Sequence, residues 1–298
     1  MRQVVMLSGK GGTGKTTVTA ALAHLASQNS SVILVDADVD APNLELLLQP
    51  RTVSNGPFFA GKKATIDASL CNACRRCEEV CRYGAIARCV KVYRVAPLDC
   101  EGCASCFYTC PTGAIRMQDH LAGYCFRSDT RFGSLLHARL LAGAENSGKM
   151  VSALRQDALA LAQERGADWV MIDGAPGMGC PVIAAVTSAD MALIISEPTV
   201  SGVHDLKRAL EVCEHFGVPA AVGISKADIN PSKADEISEY CTQHDIQVIA
   251  RIPYDNIVTD AMQRGCAVTE LGENAVAREI SLLWLALCDR VQEPSYAR

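Results

Sequence analysis

Gly9-Lys10-Gly11-Gly12-Thr13-Gly14-Lys15-Thr16 sits between a short apolar run, residues 3–7, and an alanine-rich stretch of helical propensity, residues 15–26. Few folds accept that order. A strand leads into a glycine loop whose backbone N–H groups can wrap phosphate, and the loop opens a helix whose N-terminus adds a favourable dipole. The spacing is G-x-x-x-x-G-K-[ST], which directs Lys15 to the β- and γ-phosphates of a nucleotide and the Thr16 hydroxyl to Mg²⁺. Residues 31–35 supply a second apolar strand, ending at Asp36. The chain therefore opens as a βαβ unit.

The same rhythm returns late in the chain. Residues 149–164, 203–216 and 275–291 read as helices, and residues 169–172, 191–196, 220–224 and 247–252 as short apolar strands. Alternation of this kind predicts an α/β fold, a doubly wound, mostly parallel sheet covered on both faces. Residues 50–63, rich in glycine, proline and polar side chains, read as a linker. A net charge of -5 disfavours general nucleic-acid binding. The longest apolar runs fall well short of the ~20 residues of a spanning helix. Residues 282–291 read as a core helix and not as a basic membrane-targeting tail, so no stable membrane association is expected. With no signal peptide ahead of residues 1–7, the expected location is cytoplasmic.

Between those parts the composition changes. Nine of the 15 cysteines lie from Cys71 to Cys110, and eight of them form two runs of one spacing. Cys71, Cys74, Cys77 and Cys81, followed by Tyr83-Gly84-Ala85-Ile86, return 29 residues later as Cys100, Cys103, Cys106 and Cys110, followed by Thr112-Gly113-Ala114-Ile115. A repeat this regular is a duplicated half-module. The C-x₂-C-x₂-C-x₃-C spacing is that of bacterial [4Fe-4S] ferredoxins, in which the fourth cysteine of each run ligates the other cluster. Applied here, one cluster takes Cys71, Cys74, Cys77 and Cys110, and the second takes Cys100, Cys103, Cys106 and Cys81. Zinc hooks, which pair C-x-x-C units, match less well. Arg82 stands where a proline would follow the first run, and is expected to face solvent. The predicted domains are residues 1–63 with 123–298, forming a discontinuous nucleotide domain, and residues 64–122, an inserted small α+β ferredoxin-like module. The insert is close to charge-balanced. Cys89, Cys180 and the scattered late cysteines read as packed thiols.

Lys10-Gly11-Gly12-Thr13-Gly14-Lys15-Thr16-Thr17 resembles the deviant Walker A loop of the MinD/Mrp/nitrogenase-iron-protein superfamily, whose additional lysine, here Lys10, reaches the nucleotide of a partner subunit. The segment from Val35 to Asn43 resembles that family's switch I, which implies Asp38 near the attacking water and Asp36 near the metal. Asp173-Gly174-Ala175-Pro176-Gly177 resembles switch II, with Asp173 as the Walker B-type carboxylate. Aspartates also cap helices after strands, which is the plainer reading of these residues. Lys226 lies in a Ser-Lys-Ala-Asp segment where relatives read the base, and Pro253 and Asp255 mark the other wall of that pocket. Cys180 lies at an offset from Asp173 at which the nitrogenase iron protein carries a cluster ligand, with Cys125 as a candidate companion.

The resemblance implies an ATPase that binds ATP or ADP with Mg²⁺, forms a homodimer when ATP-bound, and couples nucleotide state to electron transfer through two [4Fe-4S] clusters to a redox partner that the sequence does not identify. Hydrolysis is expected to be slow and stimulated by the partner. Two alternatives stand beside it: an iron-sulfur assembly or carrier ATPase, and a MinD-like positional or division regulator with a redox sensor.

Overall fold

A computed structural model describes residues 1–292. In chain order its elements are β1 (Arg2–Ser8), α1 (Lys15–Ser27), β2 (Val32–Asp36), α2 (Leu44–Leu48), β3 (Arg51–Ile66), α3 (Arg76–Val80), β4 (Ile86–Cys89), β5 (Val92–Val95), α4 (Ser105–Thr109), β6 (Ile115–Asp129) and β7 (Ser134–Leu140). They continue with α5 (Ser147–Arg165), β8 (Trp169–Pro176), α6 (Cys180–Val186), β9 (Met191–Ser196), α7 (Val200–His215), β10 (Ala220–Ser225), α8 (Pro231–Gln243), β11 (Gln247–Ile252), α9 (Ile257–Arg264) and α10 (Ala275–Gln292). The chain splits into two compact units, one of Met1–Gly56, Cys125–Arg139 and the residues from Ser147 onward, the other of Pro57–Tyr124 with Leu140–Asn146.

In the first unit the sheet order is β11-β10-β9-β1-β8-β2-β7-β6-β3. The pairings β1 with β8 and β9, β2 with β7 and β8, and β10 with β9 and β11 are all parallel. Central strands β2 and β9 are buried at every residue, because helices cover both faces and leave no side for polar side chains. Helix α1 packs on the sheet through Val18 and the small side chains Ala20, Ala21 and Ala23. Gly174 is needed where β8 meets β1, since a Cβ there would lie 2.7 Å from the Met6 carbonyl oxygen. Ile280, Leu283 and Leu287 of α10 are fully buried, so residues 282–291 begin as the core helix the sequence suggested. No helix among the described residues is long and apolar enough to cross a membrane.

One expectation needs correction. Residues 50–63 do join the two units, whose boundary falls between Gly56 and Pro57, but not as an irregular linker: they belong largely to the strand β3, whose first five side chains are all exposed. A strand that buries only Ala60 and Ala64 shows too little apolar alternation for its backbone pairing to leave a signal in the sequence. β6 likewise buries scattered positions, among them Ile115, Ala122 and Ser128, with no period-two alternation.

The second unit repeats itself in its backbone. Left-handed φ values recur at positions 29 apart: Ala73 (57°) and Gly102 (66°), Arg75 (72°) and Ala104 (62°), Gly84 (64°) and Gly113 (65°). The buried residues recur likewise, as Cys77 and Cys106, Ala85 and Ala114, Ile86 and Ile115. The halves also exchange ends. The Asp67 N–H donates to the Ala114 carbonyl at 2.8 Å, and the Ala96 N–H donates to that of Ala85 at 2.7 Å. Each half thus closes on the end of the other. This unit is wider than residues 64–122, because Leu140–Asn146 joins it; Gly143 packs on Leu98, for example.

Candidate functional site

The glycine loop reaches α1 through Gly12 and Gly14, at φ 80° and 88°, values that a side chain would strain. Gly9 answers a different need: a Cβ there would fall 2.0 Å from Cβ of Asp205 on α7. At the head of α1, three donors converge on Asp173, which is 1% exposed. Lys15 Nζ lies 2.7 Å from Oδ1, the Thr16 hydroxyl donates to Oδ2 at 2.7 Å, and the Thr19 hydroxyl donates to Oδ1 at 2.8 Å. Parallel pairing of β2 and β8 sets Asp36 beside Asp173 in register. Burial, reinforced by the Asp173 carboxylate, pushes Asp36 up to about 7. Its oxygens accept the N–H groups of Asp38 at 3.1 Å and Leu44 at 3.0 Å, which ties the switch I-like segment to the strand end. Asp38, half-buried, is raised by burial against an N–H bond from Ala41 at 3.2 Å.

Lys10 turns toward its own chain. Its ammonium lies 3.0 Å from Glu197 Oε2 and donates to the hydroxyls of Thr199 at 3.3 Å and Ser201 at 3.2 Å. The other Glu197 oxygen pairs with Lys226, whose Nζ also donates to the Gly12 carbonyl at 2.9 Å. Burial raises Glu197, but the bonds from Lys226 and Lys10 outweigh that and hold it below the ordinary carboxylate range. Glu197, Thr19, Thr199 and Ser201 were not singled out from the sequence. Glu197 directly follows β9, and carboxylates at the carboxyl ends of parallel strands border the ligand crevice of such sheets. That was the available signal.

Lys226, Pro253 and Asp255 lie near one another: the Ala227 N–H donates to the Ile252 carbonyl at 3.0 Å, and the Tyr254 N–H donates to Asp228 Oδ1 at 2.6 Å. Asp255 accepts the Ile257 N–H at 2.9 Å, capping α9. Gly11 is exposed, Thr17 partly buried, and the buried Thr13 hydroxyl has no hydrogen-bond partner. That orphaned hydroxyl, the open glycines and the free N–H groups of a first helical turn fit a bound phosphate chain.

In the second unit, Cys71, Cys74, Cys77 and Cys110 line one small cavity, with Asn72, Arg75, Tyr93 and Thr112 among its other walls. Three come from the first run and one from the second, the exchange expected of this spacing. Burial pushes the Cys77 thiol up, and Cys71 and Cys74 add to the shift. Cys106 behaves alike, raised by burial and by Cys100 and Cys103. Cys103 is lowered by the Ser105 hydroxyl, 3.5 Å from its sulfur, with a smaller contribution from exposed Arg82, the neighbour of Cys81. Burial raises Cys110, but bonds from Thr112 and nearby N–H groups prevail and hold it low. All 15 cysteines are free. Among the described residues no group of three His, Cys, Asp or Glu converges on a single ion. A cubane asks for a different arrangement, four thiolates around a cavity, each on its own iron.

Two thiols differ from expectation. Cys180 is exposed, not packed, although Gly148 at the start of α5 approaches its Cβ closely. Cys89 is only partly buried on the two-stranded β4-β5 ribbon. Cys125 is pushed up to about 11 by burial and by Asp157.

Residues 4–268 match the family model described as the CobQ/CobB/MinD/ParA nucleotide binding domain. An uncharacterized protein of Methanocaldococcus jannaschii is 32% identical over 228 residues, covering 76% of this chain and 79% of its own length. The septum site-determining protein MinD of Synechocystis is 26% identical over 282 residues, 93% of this chain and 83% of that protein. The structure of MinD from Pyrococcus horikoshii complexed with Mg-ADP superposes with a TM-score of 0.61 at 17% identity, covering 100% of this chain and 99% of that one. At that identity the likeness is one of fold.

Proposed function

The chain belongs to the CobQ/CobB/MinD/ParA nucleotide-binding family, and on that premise we propose that it is an Mg-ATP-dependent ATPase, closing as a homodimer when ATP-bound, whose nucleotide state controls electron transfer through two [4Fe-4S] clusters. Lys15 binds the β- and γ-phosphates. Thr16 would hold Mg²⁺ through its hydroxyl oxygen, with Asp173 accepting the hydroxyl hydrogen bond and fixing its rotamer. Asp38 orients the attacking water, and Asp36 keeps the segment that carries Asp38 tied to the sheet. Lys10 serves the nucleotide of the partner subunit. When bound, the clusters supply one-electron transfer. Cys71, Cys74, Cys77 and Cys110 would hold one; Cys100, Cys103, Cys106 and Cys81 would hold the other.

The observation that carries the reading is the cavity walled by three cysteines of one run and the fourth of the other. Non-glycine residues at left-handed φ, Ala73, Arg75 and Ala104, cost roughly 1 kcal/mol each, so these loops are shaped for something other than their own comfort. The likeness to MinD proteins keeps a second reading open, a positional regulator whose clusters sense redox state. Its mark would be nucleotide-dependent recruitment of a partner with no electron transferred.

Anaerobic purification with iron and sulfide counts, followed by redox titration with ATP, ADP or neither, tests the proposal. About eight irons and eight sulfides per chain are expected, with midpoint potentials or partner electron-transfer rates that differ between ATP and ADP. Lys15→Ala should keep the iron and lose nucleotide. Material that stays iron-free on reconstitution would remove the cluster reading; identical potentials and rates in ATP and ADP would remove the coupling.

A further inference from the structure

We infer that Glu197 is a positioning residue of the nucleotide site: it parks Lys10 against the phosphate loop of its own chain, and so opposes delivery of that lysine to a partner subunit. The inference rests on the proposed ATP-bound homodimer. One carboxylate, directly after β9, accepts both lysines that border the loop. Lys10 lies 3.0 Å from Oε2 and Lys226 pairs with Oε1. Glu197 is 12% exposed and each lysine 33%, so the arrangement is half sheltered yet open to replacement. The Thr199 and Ser201 hydroxyls, at 3.3 and 3.2 Å, complete the rest position of Lys10.

The local backbone is built to hold this carboxylate. Gly202 packs so closely that a Cβ would lie 2.1 Å from the Glu197 carbonyl oxygen, and the Thr199 hydroxyl accepts the Gly202 N–H at 3.0 Å to cap α7. Lys226 has a second acceptor in the Gly12 carbonyl, whereas every acceptor of Lys10 lies on the segment from Glu197 to Ser201. Lys10 is therefore the lysine that leaves as a unit. For it to reach another subunit, its bonds to Glu197, Thr199 and Ser201 must be exchanged for bonds to phosphate. Glu197 then stays compensated by Lys226, so release strands no unpaired carboxylate. A carboxylate that keeps one lysine and lends the other acts as a threshold on dimerisation.

The test compares wild type, Glu197→Gln, Glu197→Asp and Ser201→Ala as full chains. The readouts are the dimer dissociation constant in Mg-ATP by sedimentation, and the rate of amine labelling of Lys10 in nucleotide-free protein by mass spectrometry. A half-exposed ion pair is worth about 0.5 kcal/mol and each dimer releases two, about 1 kcal/mol together, which is a factor of about five. Glu197→Gln should therefore tighten the ATP dimer about fivefold and speed Lys10 labelling; Glu197→Asp should return both toward wild type. Ser201→Ala, which leaves the Thr199 cap bond to Gly202 in place and removes, besides the bond to Lys10, only a 3.3 Å contact to the Thr199 hydroxyl, should move both in the direction of Glu197→Gln by about twofold. If wild type dimerises and neither Glu197→Gln nor Ser201→Ala tightens the dimer, the inference fails alone. If wild type binds Mg-ATP and stays monomeric, the dimer reading fails and takes the inference with it.

Discussion

Asp173→Asn is expected to destabilise the nucleotide-free protein by about 3 kcal/mol, through the charge it abandons more than through the bond it loses. Lys15 is 6% exposed and its ammonium lies 2.7 Å from Asp173. Removing one partner of such a pair leaves a buried, unpaired charge, at a cost of about 3–5 kcal/mol. The lower end applies because an offset sits close by: Asp36, which Asp173 helps to raise, is relieved when that carboxylate goes. The Thr19 hydroxyl can still donate to the amide oxygen, and the Thr16 hydroxyl, facing the amide NH2 in place of Oδ2, can turn to accept from it, so neither is orphaned. For a domain of this size the loss corresponds to a fall in Tm of roughly 10 °C. Urea unfolding of the nucleotide-free protein measures it, with Lys15→Met added to close a double-mutant cycle. The double variant buries no unpaired charge and should be more stable than Asp173→Asn alone. A single variant within 1 kcal/mol of wild type, or a cycle with no coupling, would refute the argument that Lys15 depends on Asp173 for its charge.

Cys110→Ser and Cys81→Ser should each remove about half of the iron and sulfide, and the EPR signals lost should be different ones, because each fourth cysteine serves the opposite run. Loss of the same signal from both would reject the exchange. Gly202→Ala should cost about 2 kcal/mol or more by thermal unfolding, since its Cβ would lie 2.1 Å from the Glu197 carbonyl oxygen and the neighbouring cap leaves little room to yield; an unchanged Tm would show that the turn yields freely. His137, held below its ordinary pKa chiefly by burial, with Glu45 opposing and Arg139 adding to the shift, contributes to pH dependence with a definite sign. The unfolded chain takes up its proton near pH 6.5 and the folded chain only lower, so stability should fall as pH drops through 6.5 and level off below the folded pKa. His137→Gln should flatten that slope in denaturant titrations at several pH values, and an unaltered slope would exclude His137 as its source.

Much of this molecule was legible in its order of residues. The phosphate loop, the strands that became β1, β2 and β8 to β11, and the helices near α5, α7 and α10 follow from patterns a few residues long: glycine spacing, buried apolar runs and helical periodicity. The doubled cysteine spacing, that of bacterial ferredoxins, pointed to Cys110 beside Cys71, Cys74 and Cys77, and those four line one cavity. Folding in three dimensions decided the rest. β3 and β6 have no buried stripe to announce them, and Leu140–Asn146 enters the second unit without any change of composition. Nothing near residue 10 indicates that Lys10 meets Glu197, 187 residues further along the chain. The contact exists because parallel pairing places β9 beside β1, so that the residues just beyond both strands emerge at one end of the sheet. A local sequence can specify which groups a chain offers; only the strand order determines which of them lie close enough to share a charge.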